Sequence, residues 1–342
     1  MEQFCYSPVP KAEIWPAKRR TAAPSFPSVG SLFPSIGITT RRVKQLDAIQ
    51  LVRHQREIGK QELAYNARPF VLCGIPLRQT PRTQLTYSRH SGKFFLHIIG
   101  HPEYGLPFGQ DRLIPIWVAT LALRQKSRTV KFETASEMLD FFKLAPDGYH
   151  YHRLVQGFKR IFSATIFFGT EEHPDGQCMI DWARFHFFDQ IKLWFNAKRP
   201  QEAAGTRGNA ITLSESFYQE IDAHRIPVER HVVAGLAHAP GILDFYLWIV
   251  WKSWTVKGRE ARVPLTGPGG LSRQLGTREY TRERRFRGRI QVWLKQVKAF
   301  WPACPAEISN CNRFLLVHSA RSSPAIKASD QCSGRGRKES RW

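Results

Sequence analysis

The apolar and polar positions separate most clearly between Gly276 and Phe300. Apolar side chains recur there three and four residues apart, as on one face of a helix: Phe286, Ile290, Trp293 or Leu294, Val297 and Phe300. Arginines recur with similar spacing on another face: Arg278, Arg282, Arg285 and Arg289. The pattern predicts a helix that docks one face on a core and offers guanidinium groups on another. A solvated surface helix would show the same pattern, so the stripe alone does not establish a function.

The pattern before residue 195 predicts a hairpin followed by helices and strands. The hairpin strands are expected at 83–90 and 92–99, around Ser-Gly. The capping box Thr134-Ala-Ser-Glu137 starts one of the later helices. The expected order is a helix at 110–124, a strand at 129–132, helices at 134–142 and 149–163, and strands at 164–169 and 177–194. This is the order of a winged-helix form of the helix-turn-helix.

The second half of the chain repeats this plan with different residues. Helices are expected at 214–221, 227–236 and 241–253, and short strands at 211–213 and 263–265. A first helix at 268–275, a turn at Gly276 and a recognition helix at 279–300 make the second helix-turn-helix, which a hairpin at 306–309 and 314–318 closes. The predicted fold class is therefore α+β, with two winged-helix domains in tandem.

Composition shifts give the predicted domain boundaries. Residues 1–66 combine a flexible basic arm, rich in Pro, Ser and Gly, with an amphipathic helix at 43–63, and folded structure is expected to begin near Pro69. The first winged-helix domain is expected at 67–195 and the second at 208–318. The polar segment 196–207 reads as their linker, and residues 319–342 as a disordered basic tail.

The charge of the chain indicates a polyanionic partner. It contains 51 Lys and Arg against 28 Asp and Glu, a net charge of +23, and its pI is about 10.2. Double-stranded DNA is the first candidate for such a partner. The longest apolar run, Leu113–Leu123, is shorter than the roughly 20 residues that span a bilayer, so no membrane role is expected. The N-terminal residues lack the order of a secretory signal and the six cysteines form no Cys-x-x-Cys pair, which favours a cytoplasmic protein without disulfides.

The arginine-rich helix supplies most of the predicted DNA contacts. In a helix-turn-helix the second helix enters the major groove, where guanidinium groups pair with guanine edges and phosphates. Base-edge and phosphate contacts are assigned to Arg278, Arg282, Arg285 and Arg289, and contacts nearer the backbone to Arg284, Arg287 and Lys295.

The corresponding helix of the first domain carries a weaker candidate patch. Its outward side is expected to hold His150, Arg153, Gln156, Lys159 and Arg160. This patch fits DNA contact, a dimer interface or plain solvent-exposed surface. The following wing, 170–176, contains three acidic residues, which argues that it does not lie along phosphates.

Catalytic readings are weaker than the binding reading. His150-Tyr-His152 matches the His-x-His pair with which a nicking initiator holds a metal ion, and Tyr218 or Tyr280 could serve as its nucleophile. The pair lies in a predicted helix, however, where side chains two residues apart diverge by about 200°. No Gly-x-x-x-x-Gly-Lys-Ser/Thr phosphate loop occurs, and the aspartates show no paired spacing for two metals. The sequence predicts a non-enzymatic protein with no metal and no cofactor.

Several ordered motifs between Pro69 and His318 resemble a known family. They are Tyr104-Gly-Leu-Pro-Phe-Gly-Gln-Asp-Arg-Leu113, Arg124-Gln-Lys-Ser-Arg128, Arg153-Leu-Val-Gln-Gly-Phe158, Ala164-Thr-Ile-Phe-Phe-Gly169, Arg184-Phe-His-Phe-Phe188, Thr212-Leu-Ser-Glu-Ser-Phe-Tyr218, Arg225-Ile-Pro-Val228, Leu243-Asp-Phe-Tyr-Leu-Trp248 and Gly267-Pro-Gly-Gly-Leu271. Together they resemble the plasmid-encoded RepA-type replication initiators. The resemblance implies tandem winged-helix domains that bind repeats at a plasmid origin and recruit a host initiator ATPase and the replicative helicase. The predicted linker varies in length, and both termini lie outside the resemblance.

Two other functions remain open from the sequence. A dimeric transcriptional repressor, which could also regulate its own promoter, would use the same helices on an inverted repeat, because a two-fold dimer mirrors its operator. An initiator would instead bind direct repeats. A catalytic nickase predicts metal-dependent strand cleavage and covalent attachment at a tyrosine.

Overall fold

The computed structural model describes residues 40–134, 136–172, 179–185, 187–193, 208–267, 269–275 and 282–320. The chain divides into two units, residues 1–47 and residues 48–342. The described part of the first unit is the start of one helix, and every strand of the described residues lies in the second unit. The predicted linker 196–207, the arm 1–39 and the tail from 321 onward lie outside the described residues.

The elements are numbered here in chain order over the described residues. The chain up to Glu172 forms α1 (Thr40–Glu57), β1 (Leu63–Asn66), α2 (Arg68–Leu72), β2 (Thr86–Ser91), β3 (Phe94–Ile99), a 3-10 helix (Gly109–Arg112), α3 (Leu113–Gln125), β4 (Thr129–Phe132), α4 (Ser136–Phe141), α5 (Gly148–Ser163) and β5 (Thr165–Glu172). Glu137 accepts the backbone N–H of Thr134 at 2.8 Å, as the capping box predicts.

The later part of the chain alternates short strands with helices and ends in a hairpin. It forms β6 (Met179–Phe185), β7 (Phe188–Lys192), β8 (Asn209–Leu213), α6 (Glu215–Ala223), β9 (Ile226–Glu229), α7 (Arg230–Leu236), α8 (Pro240–Thr255), β10 (Glu260–Pro264), α9 (Leu271–Gln274), α10 (Glu283–Phe300), β11 (Ala306–Ile308) and β12 (Phe314–His318). Ser214 accepts the backbone N–H of Phe217 and so caps α6, as its position before the helix predicts.

The strands form four small antiparallel sheets, ordered β2-β3-β5-β6, β4-β8-β7, β10-β12-β11 and β1-β9. The structure is therefore a mixed α+β fold, which confirms the coarse fold class.

One of these sheets joins strands from the two predicted domains, and another joins the predicted N-terminal arm to the second domain. β8, expected to open the second domain, lies between β4 and β7 and pairs Thr212 with Thr129. β1 pairs with β9, so that Ala64 lies opposite Val228. The buried apolar residues of both predicted domains form one continuous cluster.

The structure corrects two predicted starting points. Folded structure does not begin near Pro69, because β1 precedes it and is anchored by β9. Residues 227–236 are not one helix: Ile226 and Val228 are buried in a strand and the helix starts at Arg230. Buried and exposed residues alternate in the short Ile226-Pro227-Val228 segment, which is typical of a strand. Pro227 lacks a backbone N–H, so it cannot donate a hydrogen bond to the neighbouring strand.

The long strand predicted at 177–194 is also divided. β6 belongs to the four-stranded sheet and β7 to a three-stranded one. Between them Phe187 is buried against the rings of Phe70 and Phe217, at centroid distances of 5.0 and 4.6 Å. Burial of this ring in the core is a physical reason for the strand to leave the first sheet.

Candidate nucleic-acid interface

Helix α10 carries the predicted apolar stripe. Its buried residues are Phe286, Ile290, Trp293, Leu294, Val297 and Phe300, which confirms the helical spacing and places both Trp293 and Leu294 in the core. The stripe packs on α8, where Gly241 leaves room for the Trp293 ring. The helix starts at Glu283 rather than at the predicted residue 279, and residues 276–281 lie outside the described residues.

The opposite side of α10 exposes basic side chains. Arg282, at the N-cap position, Arg284, Arg285, Arg289 and Lys295 are all exposed, whereas Arg278 lies outside the described residues. Within the described ranges, the side chains of Arg284, Arg285 and Lys295 make no hydrogen bond or ion pair. At about 100° per residue, Arg285 and Arg289 lie along one flank and Arg284 and Lys295 along the other.

Arg287 differs from its neighbours because the protein itself engages it. Its Nη2 donates to Thr266 Oγ1 at 3.3 Å and to Glu283 Oε2 at 3.1 Å. Its half-buried guanidinium therefore ties α10 to the loop after β10. The predicted contact of Arg287 with a DNA backbone would have to compete with these bonds.

The β11–β12 hairpin lies beside α10 and adds cations that the sequence reasoning missed. Gln291 Nε2 donates to Asn312 Oδ1 at 2.8 Å, which fixes the hairpin turn against the helix. Arg313, next in the chain, is exposed. Arg262 on β10 is also exposed and stacks over the Phe314 ring at 4.7 Å. Arg262 and Arg313 each directly precede a predicted strand, and this position in the sequence could have identified them.

On α5, the prediction that Arg160 faces outward is wrong. Its Nε and Nη2 donate to the two carboxylate oxygens of Asp111 at 2.6 and 2.9 Å, and the two side chains are only 12% and 3% exposed. The guanidinium also lies over the Phe108 ring at 4.6 Å. A bidentate bond to a buried carboxylate holds the arginine inward, toward the 3-10 helix.

The other four predicted residues of α5 occupy different environments. His150 is half-buried, and its Nδ1 lies 2.7 Å from Oδ1 of Asp147, the residue that caps the helix. Arg153 is half-buried near Gly109, and Gln156 is half-buried. Lys159 is exposed, with its Nζ 5.4 Å from the Tyr104 ring centroid.

The outward stripe of α5 therefore differs from the predicted one. The side opposite the buried Tyr151, Leu154, Phe158 and Ile161 carries Tyr149, His152, Gln156 and Lys159. Tyr149 is 68% exposed. His150 and His152 do not point together, since one faces the cap and the other faces solvent. Among the described residues, no group of three or more His, Cys, Asp and Glu is placed to hold a metal ion.

A buried ion pair lies between the two predicted domains, behind the candidate surfaces. Arg112, in the 3-10 helix, donates through Nε to Asp244 Oδ1 of α8 at 2.7 Å, and both side chains are about 95% buried. Arg112 also donates to the carbonyls of Gly109 and Ile75, at 2.6 and 2.8 Å. Burial raises the pKa of Asp244 to about 6, although the neighbouring guanidinium of Arg112 lowers it.

The class that the fold and surface define is an α+β protein with an exposed arginine-lined helix. The family model described as "Plasmid encoded RepA protein" matches residues 159–265, so the resemblance to the RepA-type initiator family is confirmed for this part of the chain. The match supports a role of this chain as a replication initiator. The comparison with curated proteins finds no match.

Two solved structures match this chain at 10% sequence identity and TM-scores below 0.5. A crystal structure of RctB domains 2 and 3 has a TM-score of 0.45 and covers 72% of this chain and 95% of its own. A selenomethionine derivative of RctB domains 2 and 3 has a TM-score of 0.46 and covers 66% and 82%. In the described part of the chain, no helix has the length and apolar character needed to cross a membrane.

Proposed function

We propose that this protein is a plasmid replication initiator that binds repeated double-stranded origin sites and recruits a host initiator ATPase and the replicative helicase. It acts without catalysing a reaction and needs no cofactor. The observation that carries the proposal is α10, which buries its apolar face while exposing Arg284, Arg285 and Lys295. An initiator with these properties would work in the cytoplasm, as a monomer or a homodimer.

The elements around α10 support a winged-helix reading of the second domain. Helix α8, strand β10, helices α9 and α10 and the β11–β12 hairpin follow in order, and β10 pairs with the second hairpin strand. In this arrangement α10 would lie in the major groove. Arg313 and Arg262, beside the hairpin, would then contact phosphates.

The first domain shares this order, from α3 through β4, α4 and α5 to β5 and β6. Its sheet differs, because β8 lies between β4 and β7. The half-buried Gln156 and the exposed Lys159 suit DNA contact, because a glutamine amide can pair with an adenine edge. The predicted division into domains at 67–195 and 208–318 remains part of the proposal.

A dimeric transcriptional repressor is the second candidate. One observation favours it: the outward stripe of α5 carries a single lysine, Lys159, and the exposed ring of Tyr149. Tyrosine is enriched at protein interfaces, whereas a surface with one cation neutralises few phosphates. A dimer formed through α5 would present two copies of α10 to an inverted repeat.

Footprinting tests these alternatives directly. The purified protein is incubated with DNA flanking its own gene, at physiological salt and without nucleotide. Protection of regularly spaced direct repeats beside an AT-rich stretch is the result expected of an initiator. Protection of one palindrome over the promoter would favour the repressor. A strand break at the site would refute the non-catalytic reading and return attention to His150 and His152.

A further inference from the structure

An exposed glycine interrupts the arginine-lined face of α10. Gly288 lies within the helix Glu283–Phe300, and its surface is exposed. Glycine is among the least favourable residues inside a helix, because it loses the most backbone freedom on folding and buries nothing. A glycine at such a position calls for a physical reason.

Nothing in the described part of the chain supplies that reason. The φ of Gly288 is not positive, and a Cβ built there would meet nothing within 4 Å. Two other helical glycines are explained by packing. A Cβ at Gly235 would lie 2.5 Å from the Phe300 ring, and one at Gly241 would lie 2.5 Å from the Trp293 ring. Gly288 therefore costs helix stability without improving the packing of the described residues.

The residues around Gly288 point to the kind of partner. On a helix, its surface neighbours are the residues three and four positions away. Arg284 and Arg285 lie one turn before it, and Val292, 48% exposed, lies one turn after it. The glycine is thus a low point in the surface, with guanidinium groups on one side and an apolar side chain on the other.

This combination fits a major groove better than a protein surface. Guanidinium groups pair with guanine edges and phosphates, and an apolar side chain contacts the C5 methyl group of thymine. A helix bearing a glycine lets the edges of the bases come closer to its backbone than a side chain would allow. Two adjacent arginines flanking the depression repel a basic partner and attract an anionic one.

We propose that Gly288 is the point of closest approach between α10 and the base edges of its DNA site, and that Val292 contacts a thymine methyl group one helical turn away. The inference rests on the proposed DNA-binding function. It assigns part of the sequence specificity of that binding to a residue without a side chain. Arg284 and Arg285 bind the groove edges or phosphates on the N-terminal side of this point.

The central experiment compares stability and binding in Gly288→Ala. The substitution fits the open space, so its urea midpoint is expected to rise relative to the wild type. Its affinity for the footprinted DNA fragment is expected to fall by about tenfold, because the methyl group holds the bases away. Its affinity for a random duplex of the same length is expected to stay within about twofold, since phosphate contacts remain.

Lys298→Ala is the matched control. Lys298 is exposed in the last turn of the same helix, ten residues beyond Gly288. Its removal is expected to leave the ratio of specific to random-duplex affinity unchanged. A fall in that ratio equal to the fall in Gly288→Ala would overturn the inference, because it would show a general effect of altering the helix.

A second variant tests the thymine contact without relying on Gly288. Wild-type protein and Val292→Ala are compared on the same fragment made with thymine or with uracil, which lacks the methyl group. The wild type is expected to lose several-fold in affinity on uracil DNA and Val292→Ala to lose less. Equal losses in both proteins would overturn the Val292 contact.

The outcomes separate this inference from the proposed function. Specific binding by the wild type, with unchanged specific binding by Gly288→Ala, would overturn the inference alone. A wild-type protein that binds the DNA flanking its gene no better than a random duplex would overturn the proposed function and the inference with it. A more stable Gly288→Ala protein that loses specific binding supports both.

Discussion

Replacing Arg112 by methionine should strongly destabilise the fold. Met has a similar length and an apolar character, so it fills much of the same space without a charge. Arg112 lies between the 3-10 helix and α8, where it is 4% exposed. The substitution therefore tests the polar bonds of the side chain more than its volume.

The expected loss follows from the acceptors that Arg112 satisfies. Its guanidinium donates to Asp244 Oδ1 at 2.7 Å, Gly109 O at 2.6 Å and Ile75 O at 2.8 Å. Each buried acceptor left without a donor costs about 1–3 kcal/mol, and local relaxation recovers part of the sum. Removing one partner of a buried ion pair costs about 3–5 kcal/mol, and this is the loss expected for Arg112→Met.

Urea unfolding at pH 7 provides the measurement. The buried Trp117 and Trp248 give a fluorescence signal from both halves of the core. Arg128→Met is the matched control, because Arg128 also donates to an aspartate, Asp189, at 2.8 Å, but the two side chains are 42% and 47% exposed. An exposed pair of this kind contributes about 0–1 kcal/mol, so the control should lose little.

The refuting result is equally definite. A loss below about 1 kcal/mol for Arg112→Met, or a loss no larger than that of Arg128→Met, would show that the buried pair does not hold the two halves together. The pH dependence gives a second readout. Without Arg112, the pKa of Asp244 should rise further, because that guanidinium is the main group lowering it.

Burial raises the pKa of Asp244 from 3.8 to about 6 in the folded protein, so the folded state holds this proton more tightly and the free energy of unfolding should fall by about 3 kcal/mol as the pH rises from 3.8 through 6. Asp244→Asn should flatten that part of the pH profile in urea titrations, and an unchanged profile would assign the slope to other groups. Gly157→Ala should destabilise by about 1–3 kcal/mol, because its Cβ would lie 2.7 Å from Asp111 Oδ1, and a variant as stable as the wild type in thermal unfolding would contradict this crowding. Arg285→Ala should weaken binding to the specific site by about 1–3 kcal/mol if it contacts a base, or lower the salt slope by about one for all DNA if it contacts a phosphate, and no change in either measurement would remove Arg285 from the interface.

Local patterns gave a good account of the elements that bury one face. The stripe from Phe286 to Phe300 repeats at helical spacing, so helix α10 and its core side were predictable without a structure. The same reasoning failed at Ile226–Glu229, where four residues are too few to separate a strand from the start of a helix. The pairing with β1, far away in the chain, decides that segment.

The side chains of the candidate surfaces were only partly predictable. Sequence spacing places Arg160 beside Gln156 on α5, yet Arg160 turns inward to the carboxylate of Asp111. A long arginine side chain at this position can point to solvent or to the protein interior. Its hydrogen bonds to Asp111, 49 residues away in the sequence, determine that it points inward.

By itself, the sequence determined the basic character of the protein, the helical stripes and the capping residues, because these depend on composition and on neighbours within a few positions. Tertiary structure alone decided that β8 lies between β4 and β7, and that Arg112 meets Asp244 across 132 positions of the chain. It also decided that Gly288 is exposed with open space around it. These features depend on which segments, far apart in the sequence, pack against each other. Local sequence patterns do not specify the free energy of that packing.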